Sequence, residues 1–164
     1  MDFIELLRQG LIKLNHHHDL GDRSQYVGSS DVAGCPRKAV LSKTETQDHE
    51  LATLIRFARG HLAEQLIISA IENGPYIWEY QKKVEHRERP FKAHIDFVFN
   101  GKSVLMVLEV KTVSAVPDSP YESWIQQIHF QMGLLQEKNP EKIIRVGVLA
   151  IDLNEGRTRL FNGL

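Results

Sequence analysis

The sequence predicts one α/β domain, a mixed β-sheet flanked by helices. Three observations carry this expectation. Residues 103–110 form an almost unbroken apolar run, which suits a strand buried on both faces. Residues 49–73 repeat apolar side chains at helical spacing. Three strand patterns in succession are followed by a helix and two further strands, so a meander is joined through a crossover helix to a last pair. With 164 residues there is room for one substantial core. The expected organisation is a single domain over 1–164, with an N-terminal helix and loop in 1–25 and the core in 26–152.

Composition narrows the class. The chain is 42% hydrophobic and 25% charged, ordinary for a soluble globular protein, and it holds no repeat or low-complexity tract. It lacks an 18-residue apolar run, and MDFIELLRQG has acids where a signal peptide has bases, so a cytoplasmic protein without membrane contact is expected. The single cysteine, Cys35, excludes an internal disulfide and a four-cysteine metal or iron–sulfur site. A net charge of −1 is not that of a nonspecific polyanion binder. Any nucleic-acid contact would rest on local basic clusters and on metal ions.

The elements follow in order. Phe3, Ile4, Leu7, Leu11 and Ile12 are spaced as on a helix over 2–13. A polar loop follows, with His16, His17 and His18, whose adjacency suits solvated side chains better than a metal site. Ser29, Ser30 and Asp31 suit the start of a helix. Gly34-Cys35-Pro36 interrupts it, and helix resumes over 37–43. A helix N-terminus with Arg37 and Lys38 close by could hold a phosphate, or be an ordinary cap with two surface cations. The long helix over 49–73 contains Arg56, Arg59 and the run Gly60-His61-Leu62-Ala63-Glu64-Gln65. A mid-helix glycine costs about 1 kcal/mol against alanine, so close packing or binding is expected at Gly60. His61 and Glu64 could face a site or lie on a solvated face.

Residues 76–86 read as a strand, and 95–99 as the next. Asn100-Gly101 is the dipeptide a two-residue type I′ turn needs, so a tight hairpin joins 95–99 to 103–110. Ser119-Pro120 is expected to open a helix over 121–137, with Trp124, Ile128, Leu134 and Leu135 as its apolar stripe. Gln127 and Gln131 share another face of it. Residues 143–152 form an apolar strand and 157–161 a short edge strand.

The anomaly sits at the end of the central hairpin. Glu109 and Lys111 are two apart and point to the same side of their strand, and Asp96 on the partner strand could approach them. Burying a carboxylate costs several kcal/mol unless it is paired or bound to metal. Two carboxylates converging near one ammonium are therefore a structural ion-pair cluster or a site for a divalent cation.

An Asp on one hairpin strand, 12 intervening residues, then Glu-x-Lys closing an apolar strand resembles the PD-(D/E)XK nuclease motif. The chain as a whole resembles the RecB-type branch of that superfamily over roughly Tyr26–Asp152. That branch includes the CRISPR-associated exonucleases and the phage exonucleases of the lambda and YqaJ kind. SSDVAGCPRK, RGHLAEQ, HIDFVF, LEVKT and WIQQIHFQMGLL match its segments in order. The chain departs from the pattern at two points: the four cluster-binding cysteines of the CRISPR-associated members are absent, and Gln131 stands where an aromatic often follows the family glutamine.

The resemblance implies a restriction-endonuclease-like core and a Mg²⁺- or Mn²⁺-dependent deoxyribonuclease, without an iron–sulfur cluster. Asp96 and Glu109 would hold the metal with the backbone carbonyl of Val110, and Glu64 or His61 would complete the set. Lys111 would orient or deprotonate the attacking water, steadied by Gln127. Ser30, Arg37 and Arg59 are the candidate phosphate contacts. DNA is the expected substrate, in phage or prokaryotic recombination, repair or CRISPR adaptation, with a protein partner or self-assembly also implied. Two rivals stay open: a structure-selective endonuclease on the same fold, and an inactive nuclease-fold DNA-binding subunit.

Overall fold

The computed structural model describes the whole chain apart from residues 1, 17–20 and 46–47, with only the backbone of 15 and 16. The expectation for the histidine run therefore lies outside the described residues for His17 and His18, and outside the described side chains for His16. The elements are α1 (Phe3–His16), a 3₁₀ turn (Arg23–Gln25), β1 (Val27–Gly28), α2 (Ser29–Val32), α3 (Pro36–Thr44) and α4 (Leu51–Ile71). They continue with β2 (Trp78–Glu85), β3 (Phe91–Asn100), β4 (Val104–Thr112), α5 (Glu122–Lys138), β5 (Ile143–Asp152) and β6 (Arg157–Asn162). Among the described residues no helix is long and apolar enough to cross a membrane.

These strands make one six-stranded mixed sheet. β2, β3 and β4 form the antiparallel meander. β4 then pairs with β5 in parallel along its whole length, the two joined across the sheet by α5, and β6 closes the far edge antiparallel. The apolar run of β4 is thus explained: it is the interior strand between β3 and β5, covered on both faces. Val107 and Leu105 face α5 together with Val146, Val148 and Ala150. Leu108 and Val110 face α4, where Ala63, Ile67, Ile68 and Ile71 cover them. α1 lies outside α4. The result is three layers, helix on sheet on helix.

The expected turn at Asn100-Gly101 is corrected. Neither residue has a positive φ, and the chain reverses around Lys102 and Ser103, with the Gly101 N–H donating to Val104 O at 2.8 Å. Asn100 is held in the strand instead: its N–H donates to Ile77 O at 2.8 Å and its side chain donates to Glu79. Glycine is still required at 101, because a Cβ there would lie 2.9 Å from the carbonyl oxygen of Val104.

Two further expectations shift. α5 starts at Glu122 with Tyr121 as its cap residue, and Ser119-Pro120 precedes it; the Tyr121 and Trp124 rings pack edge to face at 4.6 Å across the first turn. The mid-helix Gly60 packs against nothing: a Cβ there would meet no atom within 4 Å. The strand β1 was not legible at all. It pairs with β3 at Phe91 and Lys92, where Lys92 also faces Glu85 of β2, so β1 occupies the β3 edge that β4 has left.

Candidate active site

The site forms where β3 and β4 separate. Their register runs from Asn100↔Leu105 to Phe97↔Leu108 and stops one residue short of Asp96 and Glu109. There the Val110 N–H donates to Asp96 Oδ2 at 2.9 Å. A side-chain carboxylate replaces the backbone acceptor, and the strands splay.

The pleat of β3 slips at the same point. Ala93 and Ile95 pack on the α5 side, as does Val98, whereas Phe97 and Phe99 pack on the α4 side. Strict alternation would put Ile95 and Phe97 together. Asp96 sits at the slip, and its position on β2 is matched by another irregularity. Gln81, which would pair with it, makes no ladder pair and has φ +48°, the one positive φ of a non-glycine among the described residues.

Three carboxylates converge there. Glu109 is buried, with one oxygen accepting from Lys111 Nζ at 2.8 Å and from the Gln127 amide. Its other oxygen accepts from Gln131 Nε2 at 2.8 Å. Gln127 Oε1 in turn accepts from Lys111 Nζ at 2.8 Å, closing a three-membered ring of hydrogen bonds. Glu64 reaches in from α4: its Oε2 accepts from Tyr80 Oη at 2.6 Å and from Gln81 Nε2 at 3.2 Å. That Gln81 nitrogen also lies 3.2 Å from Asp96 Oδ1. His61 Nδ1 is 3.7 Å from Glu64 Oε2.

The electrostatics follow from this crowding. Burial pushes the Asp96 carboxyl well above its ordinary value, and the charges of Glu109 and then Glu64 push it further; the Val110 N–H and Lys111 offset only part. Burial works to lower the Lys111 ammonium, but the Glu109 charge and hydrogen bond, with Asp96 and Glu64 behind them, outweigh it and hold Lys111 above its usual value. Burial also raises the Tyr80 phenol, reinforced by its hydrogen bond to Glu64 and by that carboxylate's charge. Three carboxylates thus share one ammonium, an excess of buried negative charge that favours a cation.

The donor set, hard carboxylate oxygens beside a backbone segment, fits a hard divalent ion such as Mg²⁺ or Mn²⁺. Among the described residues, however, no three His, Cys, Asp or Glu side chains close on a single point. Amides hold them apart: Gln81 stands between Glu64 and Asp96, and Gln127 and Gln131 grip Glu109.

The candidate phosphate residues are distributed differently. The structure brings Asp96, Glu109, Val110, Lys111, Gln127, Glu64 and His61 into one region. Ser30 is held in a basic cluster around Asp31 on α2, which packs against α5. Arg23 Nη2 donates to Asp31 Oδ1 at 3.1 Å and lies 3.4 Å from Ser30 Oγ, while Lys43 Nζ pairs with Asp31 Oδ2 at 2.7 Å. Lys92 Nζ lies 4.4 Å over the Tyr26 ring in the same cluster. Arg37 is exposed on α3 and takes no part in it. Arg59 is half-buried on α4, and its Nε is buried with no hydrogen-bond partner.

Sequence reading missed Tyr80 and Gln81, which sit in what reads as a plain strand, and Arg23 and Lys43, which flank the Ser30 segment at a distance. Gln131 was legible as a residue sharing the Gln127 face and standing where an aromatic often follows the family glutamine, but not as a hydrogen-bond partner of Glu109. Its complete burial is the structure's addition.

No protein family matches the sequence, and no curated protein is similar to it. Solved structures are. The chain superposes on the crystal structure of SSO0001 with a TM-score of 0.66 at 13% identity, covering 99% of this chain and 76% of that one. It superposes on an alkaline exonuclease, LHK-Exo from Laribacter hongkongensis, with a TM-score of 0.54 at 15% identity, covering 85% and 77%. The fold is therefore an α/β one, a mixed sheet between helices, and it is shared with a solved alkaline exonuclease.

Proposed function

We propose that this chain is a Mg²⁺- or Mn²⁺-dependent deoxyribonuclease of the RecB-type branch, acting on DNA ends. The observation that carries the reading is the splayed β3–β4 hairpin, with Asp96 and Glu109 buried at the split and Lys111 bonded to Glu109. The fold shared with an alkaline exonuclease supports it.

In this reading Asp96 and Glu109, with the carbonyl of Val110 and Glu64 or His61, would hold the divalent ion, which when bound would activate water as the nucleophile and offset the charge of the phosphate. The remaining work belongs to the chain's own residues. Lys111, kept protonated by its carboxylate neighbours, donates to a phosphate oxygen as negative charge grows there. Its raised pKa favours this over removing the proton of water. Gln127 fixes the Lys111 ammonium by accepting from it, so that the ammonium is aimed before substrate arrives. Water adds across one P–O bond, leaving a phosphate monoester on one product and a hydroxyl on the other. Ser30 and its neighbour Arg23 offer a second phosphate contact, suited to a strand end. A role in recombination, repair or CRISPR adaptation, with a protein partner or a second copy of the chain, extends the same reading.

The test is end-labelled linear DNA and closed circular DNA, each incubated with the purified protein and Mn²⁺, beside Lys111→Ala and an EDTA control. Digestion from the ends of linear DNA alone, lost in both controls, supports the exonuclease. Internal cuts in the circle point to the endonuclease instead. DNA binding without turnover under Mg²⁺ or Mn²⁺ points to the inactive DNA-binding subunit.

A further inference from the structure

Gln81 is out of place by every local rule. It lies in the middle of β2, yet makes no ladder pair with β3 and has φ +48°. That is a region in which glycine or asparagine is expected, and glutamine gains nothing from it locally. A strained backbone of this kind persists where the surroundings over-determine it, and it is commonly found at functional sites.

What over-determines it is the side chain. Gln81 Nε2 lies 3.2 Å from Glu64 Oε2 and 3.2 Å from Asp96 Oδ1, so one amide nitrogen is shared between a carboxylate from the α4 layer and one from the sheet. Both carboxylates are buried. An amide nitrogen carries two hydrogens and no formal charge. It can bridge the two acids but cannot neutralise them. It occupies the ground between them, which a divalent ion would need to hold both.

We propose that Gln81 is a positioning residue that keeps the place of the cation, bridging Glu64 and Asp96 and giving way when a divalent ion binds them. The proposal rests on the metal-site reading above. The bulge is then functional: the left-handed turn at 81 swings the side chain out of the strand's regular alternation and toward Asp96. A placeholder that bridges the acids competes with the ion. Removing its amide should tighten ion binding, and placing a fixed positive charge there should weaken it.

The experiment is calorimetric titration of the full chain with Mn²⁺, comparing wild type with Gln81→Gly, Gln81→Met and Gln81→Lys. Glycine suits the backbone at +48°, so that variant has every reason to fold; methionine removes the amide while keeping the volume. The expected result is a Kd about 10-fold lower for Gln81→Gly and Gln81→Met, the equivalent of one released charge-assisted hydrogen bond. For Gln81→Lys the Kd should rise at least as far. A purely structural role would weaken all three variants or leave them equal to wild type, and either pattern overturns the placeholder while the metal site stands. Absence of Mn²⁺ binding by wild type overturns both readings together.

Discussion

Gln131 is fully buried on α5, and its amide donates to Glu109 Oε2 at 2.8 Å. Because Gln127 and Lys111 take the other oxygen, both acceptors of Glu109 are occupied and the carboxylate has one orientation. Truncating this contact should matter twice. Gln131→Leu keeps the volume but leaves a buried carboxylate oxygen without its donor, at a cost of about 1.5–3 kcal/mol. Chemical denaturation should show that loss, and DNA cutting should fall by roughly 10- to 100-fold, as when the outer partner of a metal ligand is removed.

The raised Asp96 carboxyl makes a pH-dependent prediction. A group whose folded pKa lies above its unfolded value stabilises the fold at low pH, and that stability is lost as pH rises through the folded pKa. Without metal, the buried Asp96 therefore costs the fold stability at pH 8, well above the ordinary carboxylate range. Asp96→Asn in EDTA should melt higher than wild type there, by at least about 1 kcal/mol or roughly 2–4 °C for a chain of this size. The difference should close as pH falls toward the ordinary carboxylate range. Thermal melts from pH 4 to 8 measure it, and added Mn²⁺ should stabilise only the wild type.

Much of this site was legible before any coordinates. A carboxylate inside an apolar strand conflicts with its surroundings, and that conflict picked out Glu109, Lys111 and Asp96. Period placed α4 and α5, since their apolar faces repeat over many residues, while the Ser119-Pro120 signal put the start of α5 slightly early. What stayed hidden depends on contacts between distant segments. β1 is two residues long and exists because β4 leaves an edge of β3 open. Gln81 lies in a stretch whose composition is that of any strand, and the two acids its side chain bridges are 15 and 17 residues away. Asn100-Gly101 carries the local signal for a type I′ turn, and pairing with β2 overrides it by holding Asn100 in the strand.

The Lys111–Glu109 pair predicts a non-additive effect. The Glu109 side chain is 4% exposed and that of Lys111 23%, so the pair is held away from most solvent. Lys111→Met leaves Glu109 charged and short of a partner, and should cost about 1–3 kcal/mol, below the full penalty for a buried pair because Lys111 keeps some water. Glu109→Gln in the same background removes the stranded charge. The double variant should recover most of the lost stability while remaining inactive on DNA, and a double-mutant cycle by urea denaturation gives the coupling.

Gly60 separates stability from substrate binding. Its place in the middle of α4 costs helix stability, and in the free protein nothing occupies the space where a side chain would stand. Gly60→Ala should therefore stabilise the protein by about 1 kcal/mol, the propensity difference between the two residues in a helix interior. The neighbours give the substitution a second readout. Glu64, a candidate metal ligand, lies four residues after Gly60 and shares its face of the helix, so a strand of DNA approaching Glu64 along α4 would pass over residue 60. If the open space is where that strand lies, the alanine variant melts higher and binds a DNA end more weakly, the two effects having opposite signs. Measuring Tm and DNA affinity on one preparation separates that case from a glycine without function, for which Tm rises and affinity is unchanged.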